Sequence, residues 1–111
     1  MPRYYITLPN PETARGTDPA LAFTAHGADG FAEQLQTALT GPGLYERWKA
    51  QQKDPDEVNE TMAATDLAAT VSGEQSDLKI DLVVNTTLPG EVLRQRLRLL
   101  AGSGWQLRDV K

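Results

Sequence analysis

One arginine sits where an apolar side chain would be expected. On a helical wheel at about 100° per residue, Leu99, Val92, Leu100, Leu93 and Leu97 span an arc of about 160°. Arg96 falls inside that arc, whereas Arg94 and Arg98 fall on the opposite side. A guanidinium so placed must snorkel to the helix margin, pair with a carboxylate such as Asp66 or Asp109, or meet an anionic ligand or partner. His26, the single histidine, precedes Gly27-Ala28-Asp29-Gly30-Phe31. A strand-to-helix junction of that kind suits a general base or an anion held at a helix start. The glycines there serve the turn and cap first. Their spacing lacks the third glycine of a dinucleotide fingerprint and the lysine of a phosphate loop. Arg96, His26 and Asp29 together form the candidate set for a small anionic ligand.

Other chemistries lack their residues. The chain has no cysteine, which removes disulfides, thiolate metal sites, redox pairs and a cysteine nucleophile. One histidine without cysteine does not make a usual zinc site. Asp54, Asp56, Glu57 and Glu60 resemble a cation loop, but in a loop counted from Asp54 the fifth and sixth places hold Val58 and Asn59 and the twelfth holds Thr65. A calcium loop needs an oxygen donor, a glycine and a glutamate there. No G-x-S-x-G is present; Ser72-Gly73 and Gly102-Ser103-Gly104 read as turns. No metal, cofactor or catalytic residue is therefore expected.

These residues need elements to hold them. Arg3–Leu8 alternates as a strand, with Tyr4, Ile6 and Leu8 on one face. Leu21–Ala25 is a second, weaker strand candidate. Asp29 reads as the N-cap of a helix over 30–40, with Phe31, Leu35, Ala38 and Leu39 on its apolar face. Gly41-Pro42-Gly43 breaks it, and a short helix over 44–52 carries Leu44, Tyr45 and Trp48. Residues 54–63 read as an irregular acidic segment. Leu67–Val71 reads as a strand, Ser72–Ser76 as a turn, and Leu78–Thr87 as a strand with Leu78, Ile80, Leu82 and Val84 on one side. Thr87 is a candidate cap, and Pro89 opens a helix to about Ala101. Trp105–Val110 closes the chain as a strand.

With 111 residues, 40% apolar and 23% charged, the chain suits one α+β domain over residues 1–111. The order predicts a two-layer sandwich, ferredoxin-like βαββαβ or a close variant with an extra strand and a short extra helix. No export signal or membrane-spanning run is visible, so the sequons at Asn59 and Asn85 carry little weight and a cytoplasmic location is expected. Residues 1–77 hold 12 acids and 5 bases, net −7, and residues 78–111 hold 3 acids and 6 bases, net +3. That polarity reads either as mutual attraction of the halves in the fold or as a basic surface patch.

The functional expectation is a non-enzymatic interaction or regulatory module that acts through self-association or a protein partner. Leu44, Tyr45 and Trp48 are candidate partner anchors if exposed, and core closures if not. An exposed sheet edge would favour strand-to-strand dimerisation. The alternative is the anionic-ligand site around Arg96, His26 and Asp29. A third reading, nucleic acid on the open sheet face, is disfavoured. That face offers Tyr5, Thr7, Thr70, Lys79, Asp81, Val83, Asn85, Gln106 and Arg108, with one aromatic among them, on a chain of net charge −4.

Overall fold

The computed structural model describes residues 1–58 and 60–111, the side chains of Glu60 and Thr61 excepted. Four strands, β1 (Arg3–Leu8), β2 (Thr70–Ser76), β3 (Lys79–Asn85) and β4 (Gln106–Val110), form one antiparallel sheet in the order β2-β3-β1-β4. Three helices accompany it: α1 (Ala28–Thr40), α2 (Gly43–Ala50) and α3 (Gly90–Ala101), with 3-10 turns at Pro55–Glu57 and Glu60–Ala63. No helix among the described residues is long and apolar enough to cross a membrane.

Strict alternation in β1 and β3 puts Ile6, Leu8, Ile80, Leu82 and Val84 on one face, all but fully buried. Against them pack Phe31, Leu35 and Leu39 of α1 and Val92, Leu93, Leu97 and Leu100 of α3, in one continuous core. The other sheet face carries no helix residue of that core.

Leu21–Ala25 is not a strand. Leu21 turns back on Asp18, and the Phe23 amide donates to the Leu100 carbonyl at 2.8 Å. The Thr24 and Ala25 amides donate to the Gln34 side-chain oxygen at 3.0 and 3.1 Å. These donors are taken by a helix end and a glutamine, so no fifth strand forms among the described residues. Leu21 and Phe23 still reach the core, and Phe23 meets Phe31 edge to face at 4.9 Å.

The hairpin is shifted from its expected register. The Asp66 carboxylate accepts from the Ala68 amide, holding Leu67–Ala68 in a turn, so β2 starts at Thr70 and runs through Ser72–Ser76. Gly73 is not a turn glycine. A Cβ there would stand 2.6 Å from the Ala28 carbonyl oxygen, so glycine lets α1 approach β2 closely. The turn is Asp77-Leu78, closed by Ser76 opposite Lys79, with Asp77 at φ 57. Aspartate tolerates that left-handed conformation better than most residues. Leu78 therefore does not continue the buried face of β3.

Helix ends also differ. Gly27, not Asp29, is the N-cap of α1; Asp29 lies in the first turn, where its charge favours the helix dipole. Pro89, not Thr87, occupies the N-cap position of α3. The segment expected to be irregular, 54–63, contains both 3-10 turns, with Asn59 and the Glu60 and Thr61 side chains outside the described residues.

Candidate functional site

The structure does not bring Arg96, His26 and Asp29 together. Arg96 is completely inaccessible. Its guanidinium donates to the carbonyls of Met62 at 2.7 Å, Ala64 at 3.2 Å and Ala38 at 3.4 Å, and to the Gln95 side-chain oxygen. Its flat face lies over the Tyr45 ring, 5.4 Å from the centroid. Burial lowers its pKa from the ordinary arginine value. Among the described residues no carboxylate balances it: Asp66 turns to Thr86 and Thr87, and Asp109 lies 3.8 Å from the Lys111 ammonium. Arg96 thus ties α3 to the end of α1 and to residues 62–64 through their backbone carbonyls. His26 and Asp29 are exposed at the far end of α1. Asp29 and Ala38 are nine residues apart on that helix, about 13 Å along its axis. His26 instead lines a surface hollow of about 480 Å³ with Glu12, Gln75 and Leu78.

The aromatic helix faces inward. Leu44 and Tyr45 are 3% exposed, and Trp48 packs beside Tyr45 at 5.6 Å and against the core. They close one end of the domain. Among the described residues, no three or more acidic or histidine side chains converge to hold a metal.

Both sheet edges carry covers. In an antiparallel pair, backbone groups point alternately toward and away from the neighbour. The Val71 amide points away from β3 and donates to the Gln36 side-chain oxygen of α1 at 3.0 Å. At the other edge, the Val110 amide donates to the Asp109 carboxylate at 2.8 Å, and the β1–β4 register slips between Tyr5 and Ile6. Bulges and covered amides of this kind oppose edge pairing. One outward amide at each edge is thus already bonded.

The open face of the sheet is polar and balanced in charge. Tyr5 and Val83 lie side by side at its centre, next to Asp109 and Ser72 in the same cross-strand row. The Lys111 ammonium sits over the Tyr5 ring at 5.6 Å, Thr7 donates to Asp81 at 2.7 Å, and Arg3 donates to Asn85 at 3.2 Å. A base would have to displace Lys111 to stack on Tyr5, and the acids of the face repel phosphate.

Two features were not legible in the sequence. The first is Leu78, 85% exposed at the hairpin tip. The Gln75 side-chain Nε2 donates to the Asp77 carbonyl at 2.8 Å and stiffens that turn. Counting a two-residue connection, rather than a glycine-centred one, would have revealed Leu78 as a turn residue. The second is a groove of about 500 Å³ between α1, the start of α2 and the end of α3. Ala38, Leu44 and Leu100 form its floor, and Glu33 and Arg47 stand on its walls. Comparison with protein-family models, curated proteins and solved structures gives no match to the chain.

Proposed function

We propose that this chain is a non-enzymatic interaction module, acting by self-association or on a protein partner, on a ferredoxin-like βαββαβ scaffold. The scaffold reading is supported by two interleaved crossovers. β1-α1-β2 brackets β3, and β3-α3-β4 brackets β1, as in a split β-α-β arrangement. The short α2 and the 3-10 turns are insertions on that plan.

One observation carries the interaction reading: Leu78 stands 85% exposed on a stiffened two-residue turn. A scattered exposed leucine is ordinary. A leucine held at the apex of a hairpin is different, because docking it costs little ordering entropy. In support, Arg96 is committed to backbone carbonyls, and His26 and Asp29 stand apart from it.

Sedimentation of the full chain over a wide concentration range, together with affinity capture through an N-terminal tag, tests this reading. Concentration-dependent mass, or a partner lost on Leu78→Ser, is the expected result. A strict monomer that captures nothing sensitive to Leu78 overturns it.

A further inference from the structure

The hairpin tip and the groove are complementary. The tip reads Asp77-Leu78-Lys79: an anion, an apolar side chain and a cation, all exposed. The groove offers a cation on α2, Arg47, an apolar floor of Ala38, Leu44 and Leu100, and an anion on α1, Glu33. Among the described residues, none of Glu33, Arg47, Asp77 and Lys79 enters an ion pair. The groove, at about 500 Å³, is ample for one leucine and its flanking backbone. The tip does not fill the groove of its own chain, since Leu78 remains 85% exposed.

We infer that the groove between α1 and α2 receives the β2–β3 hairpin tip of a second copy of this chain, with Leu78 on the apolar floor, Asp77 toward Arg47 and Lys79 toward Glu33. The inference rests on the interaction reading above and gives it a partner and a site. Charge complementarity selects the occupant: the groove's charges are opposite in sign to the two that flank Leu78. At each sheet edge one outward amide, Val71 or Val110, is already bonded, which disfavours edge pairing there. The contact joins two different patches, so two copies close into a dimer if they exchange tips, and otherwise extend head to tail. A single leucine with two exposed ion pairs makes a small interface, so the association is weak and salt-sensitive.

Sedimentation equilibrium of the full chain at about 0.02–1 mM, at low and high salt, reads the contact. The native chain is expected to self-associate, more strongly at low salt. Leu78→Ser should weaken association at least about tenfold. Lys79→Glu and Glu33→Lys should each weaken it about 3–10-fold, and the double variant should return to within about twofold of the native chain. All three positions are exposed, and circular dichroism checks that each variant keeps its fold. A strict monomer at the highest concentration overturns this inference and the self-association half of the interaction reading. Association that persists unchanged in Leu78→Ser, or a double variant no better than the singles, overturns the inference alone.

Discussion

The Arg96 guanidinium carbon lies 5.4 Å from the centre of the Tyr45 ring, and both residues are buried. One cation therefore holds α3, α2, the end of α1 and residues 62–64 in register through backbone carbonyls and a ring face. Substituting methionine preserves bulk but removes the donors to the carbonyls of Ala38, Met62 and Ala64. Arg96→Met is expected to lower stability by about 3 kcal/mol or more in urea denaturation. Arg96→Lys should recover only part of the loss, because one ammonium lacks the planar fork that spans three carbonyls. A stabilised Arg96→Met would remove this account.

Asp66 gives the fold an acid limit. Its carboxylate accepts from the Thr87 amide and the Thr86 hydroxyl, both at 2.9 Å, and from the Ala68 amide at 3.0 Å. The Thr87 amide is the largest cause holding its pKa below the ordinary 3.8, with partial burial opposing. A carboxyl whose pKa is depressed on folding contributes stability above its unfolded value and loses it as pH falls through the folded value. Thermal midpoints should therefore fall below pH 3.8. In Asp66→Asn, the midpoint should be lower at neutral pH and this part of the acid slope should be absent. An unchanged slope in the variant would assign the acid limit to other groups.

Gly16 marks where the loop before α1 meets the end of α3. Its amide donates to the Leu100 carbonyl at 3.0 Å, and a Cβ would stand 2.2 Å from the Leu99 carbonyl oxygen. Neither backbone can yield without breaking that bond. Gly16→Ala is expected to cost about 2 kcal/mol or more, whereas Gly27→Ala, with nothing within 4 Å of the added carbon, should be near neutral. Denaturation of the pair of variants compares them directly.

Leu78 should be dispensable for folding. It touches solvent, and the turn is set by Asp77 and Gln75. Leu78→Ser is expected to change unfolding free energy by no more than about 0.5 kcal/mol. A large loss would mean that the leucine packs within its own chain.

Period and breakers made much of the fold legible. β1, β3, α1 and α3 follow from alternation or helical spacing, and Arg96 stood out because it violated the spacing of α3. What stayed hidden depended on tertiary contact. Gly73 reads as a turn until α1 is seen lying on it. The Leu21–Ala25 run has strand-like residues, but Gln34 and Leu100 take its amides first. Arg96 was expected to meet a margin, a carboxylate or a ligand; it meets carbonyls from segments far apart in sequence, which no local pattern encodes. Of the candidate set, the sequence located the buried arginine but not the groove, whose walls come from three separate helices.

The covers on Val71 and Val110 bear on how this chain tolerates crowding. A four-stranded sheet with bare ends is a template for fibrils, because each new strand recreates the end it joined. Here Gln36 and Asp109 each take up one outward donor, one at each end. Gln36→Ala uncovers one donor and Asp109→Ala the other. The double variant should shorten the lag of thioflavin-detected fibril formation at 37 °C with little change in the folded structure. The two side chains would then act as gatekeepers of colloidal stability, keeping encounters between copies finite.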